Sequence, residues 1–118
     1  LPPKPTSSNL ERLEDLMHEQ KPYLNPGLSL GELAKAMNLP SHQLSKIIND
    51  GFEKNFFDYE NGYRIEAFKD QIRAGAHQEH TILGLALASG FNSKTAFNRA
   101  FKKHTNQTPR EYLRQQGE

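Results

Sequence analysis

The chain contains an internal repeat, and this repeat limits the fold more than any other feature of the sequence. Two short segments place apolar residues at helical spacing, with a small residue on the inward side, at a constant offset of 52 residues. The matched residues are Leu30, Leu33, Ala34, Asn38 and Leu39 in the first copy, and Ile82, Leu85, Ala86, Gly90 and Phe91 in the second. Each copy therefore predicts a short helix followed by a tight turn.

A second helix follows each turn, and across it the offset between the copies rises to 53 residues. The matched residues are Leu44, Lys46, Ile47 and Ile48 in the first copy, and Phe97, Arg99, Ala100 and Phe101 in the second. The second turn is therefore one residue longer than the first. A helix, a tight turn and a second helix with an outward cation are typical of a helix-turn-helix, in which a small inward residue permits close helix crossing. The repeat predicts two such units.

The rest of the chain also predicts helix, because no segment shows the sustained alternation typical of a strand. The apolar spacing after Ser8 indicates an amphipathic helix, the prolines of LPPKPTS indicate a linker, and FFDYENGYRIEAFKDQI predicts a long buried helix. We therefore predict an all-α fold of about seven helices, with two helix-turn-helix subdomains joined by a long linker helix. The predicted segments are a linker at 1–7, an N-terminal helix at 8–24, the first helix-turn-helix at 25–54, the linker helix at 55–76, and the second helix-turn-helix with a C-terminal helix at 77–118.

Residues with capping potential mark the ends of these helices. Ser29 and Glu32, like Thr108 and Glu111, have the spacing of a capping box, in which the hydroxyl accepts from the third helical amide and the carboxylate reaches back to the cap amide. Single hydroxyl caps are predicted at Ser41, Thr81 and Ser93. The residues expected to end the first helix of each unit, because they tolerate the left-handed conformation, are Asn38 and Gly90.

The second helix of the second copy has a basic outer side. In ASGFNSKTAFNRAFKK, residues 88–103, apolar residues recur at helical spacing, and cations and an amide fill the positions between them. Residues 1–80 hold nine Lys/Arg and twelve Asp/Glu, net −3, whereas residues 81–118 hold six Lys/Arg and two Asp/Glu, net +4. Such asymmetry is typical of a surface that meets a polyanion, and a solvated basic helix is the alternative.

Double-stranded DNA is the polyanion that this geometry favours. An α-helix fits the major groove, where Arg pairs bidentately with guanine and Asn with adenine. We expect the first four outward residues of this helix to face base edges and the last two to lie toward phosphates. In chain order they are Lys94, Thr95, Asn98, Arg99, Lys102 and Lys103. Two units in one chain predict two recognition helices that read adjacent major-groove segments.

The sequence offers little for catalysis or metal binding. The absence of cysteine excludes disulfides, thiol nucleophiles and thiolate zinc sites. His77 and His80 lack the spacing of a zinc-binding helix, and neither a glycine-rich phosphate loop nor a nucleophile elbow is present. We therefore predict no enzyme activity, no cofactor and no metal. Because no run of about 18 apolar residues occurs, we expect a cytoplasmic domain, although the full-length protein could carry a membrane or sensor region.

The two units together resemble the DNA-binding domain of AraC-type transcription regulators, over residues 25–114. The most specific segment is TILGLALASGFNSKTAFNRAFKKHTNQTPREYLR. It is similar to the family's pattern, which consists, in order, of an apolar-Ala helix, Gly-Phe, a Ser, a helix with aromatic-x-Arg-x-Phe-Lys-Lys, Thr-Pro and a Tyr. NFFDYENGYRIEAF, including Arg64, resembles the family's linker helix, and KPYLNPGLSLGELA resembles the segment that leads into the first unit.

The resemblance implies a bacterial, sequence-specific regulator of transcription with two recognition helices. On matching positions it assigns the first helix's DNA contacts to His42, Ser45 and Lys46, and the second helix's to Lys94, Thr95, Asn98 and Arg99. We expect the first helix, with its short polar side chains, to contribute less specificity. The departures from the family's usual pattern are Asn106 in place of a turn glycine, Phe68 in place of alanine, and Glu60 in place of an apolar residue.

The resemblance also implies partners beyond double-stranded DNA. Family members often carry a sensing or dimerising region N-terminal to this domain, and we expect that region to be absent from this chain. Some members contact RNA polymerase, which is therefore a further candidate partner. The alternative function is a helical protein-interaction module without specific DNA binding, since helix-turn-helix pairs also bind proteins. Replacing Arg99 and Lys46 distinguishes the two, because only DNA binding should depend on these cations.

Overall fold

The computed structural model describes residues 5–117, and the side chains of residues 8–117. All regular structure in this range is helical, which confirms the predicted all-α fold. Within it, seven α-helices, α1 to α7, span Pro5–Gln20, Leu30–Ala36, Ser41–Phe52, Phe56–Arg73, Ile82–Ala88, Lys94–Thr105 and Pro109–Gln115, and 3-10 turns lie at Pro22–Leu24 and Ala76–Gln78. Residues 1–4 of the predicted linker and residue 118 of the predicted second helix-turn-helix lie outside the described residues.

The chain divides into two compact units, and the boundary falls within α4, between Glu60 and Asn61. In the first unit, α1 packs beside α3, where Gly51 leaves room for the Leu10 side chain that a Cβ would meet. The Arg12 guanidinium of α1 donates to the Met37 carbonyl at the end of α2, at 2.7 Å. The buried apolar residues of this unit are Leu13, Met17, Tyr23, Leu33, Ala34, Met37, Leu44, Ile47, Ile48, Phe56 and Tyr59.

The second unit packs α5, α6 and α7 with the later part of α4 around an aromatic core. Phe101 is fully buried, and its ring centroid lies 5.7 Å from those of Phe68 and Phe97 and 5.6 Å from that of Tyr112. The other buried residues of this core are Ile65, Ile72, Leu85, Ala86, Phe91 and Ala100. Gln71 of α4 donates to the Leu85 carbonyl at 3.1 Å and to the Ser89 hydroxyl at 2.7 Å, which joins α4 to the end of α5.

The internal repeat is present in the backbone at the predicted offsets. Helices α2 and α5 are seven residues each and start 52 residues apart, whereas α3 and α6 are twelve residues each and start 53 apart. Both turns contain a left-handed residue, Asn38 at φ 59° and Gly90 at φ 106°. The bonds that close them are equivalent: Leu39 N to Ala34 O at 2.9 Å, and Phe91 N to Ala86 O at 3.2 Å. Two helix-turn-helix units with one added residue in the second turn are therefore confirmed.

Most of the predicted caps form. Thr108 and Glu111 make the complete capping box, with the Glu111 amide donating to the Thr108 hydroxyl at 3.1 Å and the Thr108 amide donating to the Glu111 carboxylate at 2.8 Å. The Thr81 hydroxyl accepts from the Gly84 amide at 2.9 Å. These contacts satisfy donors that each helix leaves free at its first turn.

Three local predictions differ from the structure. Pro40, in extended conformation at φ −64° and ψ 147°, is the N-cap of α3, and Ser41 is already its first helical residue. The Glu32 carboxylate accepts from the Ser29 hydroxyl at 3.2 Å instead of from the cap amide, so the first capping box is only half formed. Helix α1 begins at Pro5 and not at Ser8, in keeping with the tolerance of a helix start for proline.

The positions that depart from the AraC-type pattern are accommodated without breaking the helices. Helix α4 is continuous from Phe56 to Arg73, and Phe68 is completely buried in the core of the second unit. Glu60 is 2% exposed, a rare environment for a carboxylate. Asn106 adopts φ 59° at the end of α6, a left-handed conformation that Asn tolerates. In residues 5–117 no helix combines the length and apolar character needed to cross a membrane.

Candidate nucleic-acid interface

Helix α6 presents all of its predicted contact residues to solvent. Its exposed residues are Lys94, Thr95, Asn98, Arg99, Lys102 and Lys103, the six that the sequence indicates. They recur at intervals of three and four residues, so they lie on one side of the helix, which we call the α6 face. Four of the six are cations, and α6 contains no carboxylate. The face therefore has a charge of +4 and side chains suited to phosphates and base edges.

The opposite side of α6 is fixed by the core. Phe97 and Phe101 are 1% and 0% exposed, and the Phe97 ring lies 4.8 Å from that of Phe68 in α4. At the start of the helix the Ser93 hydroxyl accepts from the Ala96 amide at 3.0 Å. The α6 face thus projects from an element whose position is set by buried rings and a cap, not by the cations themselves.

Two cations of the α6 face also suit the helix that carries them. Lys102 and Lys103 lie in the last turn, where the helix dipole favours positive charge. The Lys102 ammonium donates to the Asn106 carbonyl beyond the helix end, at 3.4 Å. Favourable interaction with the helix dipole therefore explains part of the presence of these two lysines. It does not explain Lys94, which lies in the first turn, where positive charge is unfavourable.

Helix α3 presents the three residues predicted for the first unit, in a different electrostatic setting. His42 and Lys46 are exposed, and Ser45 is half-buried. The Lys46 ammonium lies 3.2 Å from the Asp50 carboxylate, one turn further along the helix. We call the outward side of α3 the α3 face; it comprises Ser41, His42, Ser45, Lys46, Asn49 and Asp50. Its one Lys and one Asp leave it with no net charge when His42 is neutral.

The repeat permits a comparison of the two faces position by position. At the 53-residue offset Lys46 corresponds to Arg99, so both faces keep the central cation. The three lysines that give the α6 face its excess charge have no basic counterpart in α3. The pairs are Ser41 with Lys94, Asn49 with Lys102, and Asp50 with Lys103. The two helices are equivalent in backbone but not in charge.

The sequence places Asn49 on the outward side of α3 but assigns it no DNA contact, and sequence reasoning missed Asp50 altogether. Asn49 is exposed, and its side-chain amide donates to the Ser45 carbonyl at 3.0 Å. Asp50 is exposed and paired with Lys46. The signal that could have found Asp50 was the repeat itself, because the same offset that equates Lys46 with Arg99 equates Asp50 with Lys103.

Across the described range of the chain, no group of three or more His, Asp or Glu side chains is placed to hold a metal ion.

Comparisons with known proteins agree with this architecture. Residues 33–115 match the family described as helix-turn-helix domain. Uncharacterized HTH-type transcriptional regulators of Staphylococcus aureus strains COL and MSSA476 are each 33% identical over 90 residues. That alignment covers 76% of this chain but only 12% of the length of either relative.

Two solved structures share the fold. The C-terminal domain of AraT, a response regulator from Geobacillus stearothermophilus, has a TM-score of 0.77 and 23% identity, with 95% of this chain and 88% of that chain covered. The C-terminal domain of the two-component response regulator yesN from Fusobacterium nucleatum has a TM-score of 0.73 and 24% identity, with 90% and 98% covered.

The doubled helix-turn-helix, the basic α6 face and the family match define a class of protein, the DNA-binding domains of bacterial transcription regulators. Within that class, the chain belongs to the AraC-type helix-turn-helix family. Double-stranded DNA is accordingly its partner, and the family is not one of enzymes.

Proposed function

We propose that this domain recognises a specific double-stranded DNA sequence, with α3 and α6 as recognition helices that enter adjacent major-groove segments. The observation that carries the proposal is the α6 face. Every exposed residue of that helix is polar or cationic, and its other side is fixed by Phe97 and Phe101. A rigid, basic helix of this kind supplies both the charge that DNA binding needs and the donors that read bases.

The two kinds of contact have different roles. Lys102 and Lys103 would neutralise phosphates, which supplies affinity without sequence preference and makes binding weaken as salt rises. Arg99 and Asn98 would contact base edges, because a guanidinium suits guanine and an amide suits adenine. In the first unit, Lys46 would contact DNA at the position that corresponds to Arg99, with His42 and Ser45 beside it. The neutral α3 face supports a smaller contribution to affinity from the first unit.

We also propose partners for the longer protein in which such a domain operates. Signal sensing or dimerisation would lie in a region N-terminal to this domain, and contact with RNA polymerase would link DNA binding to transcription. This chain matches only 12% of the length of the relatives from S. aureus, which supports the proposal that functions other than DNA binding lie in regions outside this domain. Co-purification of the full-length regulator with RNA polymerase on its DNA site tests the second contact.

The test of the base-reading role is Arg99→Ala. Losing a bidentate contact should cost about 1 to 3 kcal/mol of specific binding and relax the preference at one base pair. The matched control is Arg73→Ala, which removes an exposed arginine of α4 that is paired with Asp70 at 2.7 Å. Binding to a site selected from random duplex DNA is measured for both variants. An Arg99→Ala protein that folds and binds the selected site as tightly as the parent would contradict the assignment.

A further inference from the structure

The residue at position 50 has the opposite charge to its counterpart in the repeat. Asp50 in α3 corresponds to Lys103 in α6, so one recognition helix has a carboxylate where the other has an ammonium. Asp50 is 56% exposed at its side chain, and its Oδ2 lies 3.2 Å from the ammonium of Lys46, which is 78% exposed. Lys46 in turn corresponds to Arg99, the central cation of the α6 face. Asp50 is therefore paired with Lys46, the cation through which α3 is proposed to contact DNA.

Helix stability does not explain this carboxylate. Asp50 lies in the last turn of α3, which contains no basic residue, and the helix dipole disfavours negative charge there. In the Lys46–Asp50 pair the cation precedes the anion by four residues, the less favourable of the two orders on a helix. Such an exposed pair contributes at most about 0.5 kcal/mol. A lysine at position 50, like Lys103 in α6, would suit the helix end better.

Asp50 has clear consequences for DNA contact. Its negative charge lies on the same side of α3 as His42 and Lys46, so it approaches the phosphate backbone when Lys46 does. The carboxylate also competes with a phosphate for the Lys46 ammonium. Both effects oppose electrostatic binding, which depends little on sequence, and neither opposes hydrogen bonds that His42 and Ser45 would make to base edges.

We propose that Asp50 is a specificity-determining residue of the first recognition helix. By holding Lys46 and opposing phosphate contact, it makes binding of α3 depend on favourable base contacts, while the α6 face supplies most of the nonspecific affinity. The proposal rests on the proposed function, since it assumes that α3 meets DNA. It assigns opposite tasks to the matched positions 50 and 103: Lys103 increases affinity for any duplex, and Asp50 lowers affinity for incorrect sites.

The test compares Asp50→Asn with the parent protein on two probes: a duplex selected from a random pool, and the unselected random pool of equal length. Asp50→Asn should bind the random pool about two- to fivefold more tightly, the range that an exposed charge pair gives. Its plot of log affinity against log salt concentration should steepen by about 0.9, because Lys46 is released to neutralise one more phosphate. The ratio of selected to random affinity should fall. The thermal midpoint should stay equal or rise.

Two further variants identify the cause. In a Lys46→Gln background, Asp50→Asn should no longer steepen the salt dependence, because the released ammonium is absent. Asp70→Asn makes the same charge change in an ion pair of α4, with Arg73, and should leave the ratio of selected to random affinity unchanged. Asp70→Asn thus controls for net charge alone.

Three results would overturn the proposal. They are unchanged binding of Asp50→Asn to both probes, a steepening that persists without Lys46, and a loss of affinity confined to the selected duplex, which would make Asp50 a base-reading residue. None of them affects the proposed function, which fails separately if the parent protein selects no sequence and Arg99→Ala has no effect.

Discussion

Phe101→Ala should destabilise the second unit strongly, because this ring lies at the centre of its core. The side chain is 0% exposed, and three aromatic rings surround it at centroid distances of 5.6 to 5.7 Å. Replacing a buried Phe by Ala costs about 3 to 5 kcal/mol. Each lost ring pair would also remove part of the roughly 0.5 to 1.5 kcal/mol that such a pair contributes beyond burial. We therefore expect a destabilisation in the upper half of the range of about 3 to 5 kcal/mol.

Hydrogen exchange measured peptide by peptide is the suitable assay, since it reports on the two units separately. A loss of about 4 kcal/mol corresponds to roughly a thousandfold decrease in protection for amides that exchange through unfolding of the second unit. Peptides from α5 and α6 should show it. Ile48→Ala, at the matched position in the first unit, should instead lower protection in α2 and α3.

The control is Leu87→Ala, which truncates a side chain of α5 that is 45% exposed. It should change stability by no more than about 0.5 kcal/mol. If α6 in Phe101→Ala kept the protection it has in the parent, or if Leu87→Ala cost as much as Phe101→Ala, the description of the aromatic core would be wrong.

Two other predictions concern helix ends. Glu53 ends α3 at φ 55°, a strained conformation for a residue with a side chain. Glu53→Gly should therefore stabilise the first unit by about 0.5 to 1 kcal/mol and raise its thermal midpoint. A lowered midpoint would contradict this. The pKa of Glu111 is lowered chiefly by the backbone hydrogen bond from Thr108 and then by the hydrogen bond with the Thr108 side chain. The stability that the ionised Glu111 carboxylate contributes is therefore present above the ordinary pKa of 4.5 and is lost as pH falls through the lowered pKa. The gap in thermal midpoint between the parent and Glu111→Gln should therefore narrow in acid, and a gap that widened would refute the assignment.

The fold could be predicted from the sequence largely because the chain repeats itself. Apolar spacing located both helix-turn-helix units, and the change of offset from 52 to 53 located the added residue in the second turn. Asn38 and Gly90 marked the turns correctly because few residues tolerate a left-handed backbone. These features depend on local sequence, so they can be predicted from the sequence alone.

The errors arose where two residues compete for one local role. Pro40 and Ser41 are adjacent, and the extended backbone of Pro40 makes it the cap of α3, which a preference for hydroxyl caps does not reveal. Glu32 had two acceptable donors on one residue, the Ser29 amide and the Ser29 hydroxyl, and it accepts from the hydroxyl. Such choices depend on side-chain geometry that sequence spacing leaves open.

The candidate interface was predicted unevenly. The exposure of all six residues of the α6 face follows from helical periodicity, and their roles in binding stay predictions. The pairing of Lys46 with Asp50 was missed because the residues matched between the two copies end at Ile48 and Phe101, before position 50.

Selection of binding sites from a pool of random duplex DNA, at two salt concentrations, tests the central claim most directly. The account predicts an enriched site with two short motifs about one helical turn apart, the motif read by α6 being the stronger, and affinity that falls as salt rises. Binding that is weak, salt-sensitive and without enrichment for any sequence would contradict sequence-specific recognition by this domain and favour the protein-interaction alternative.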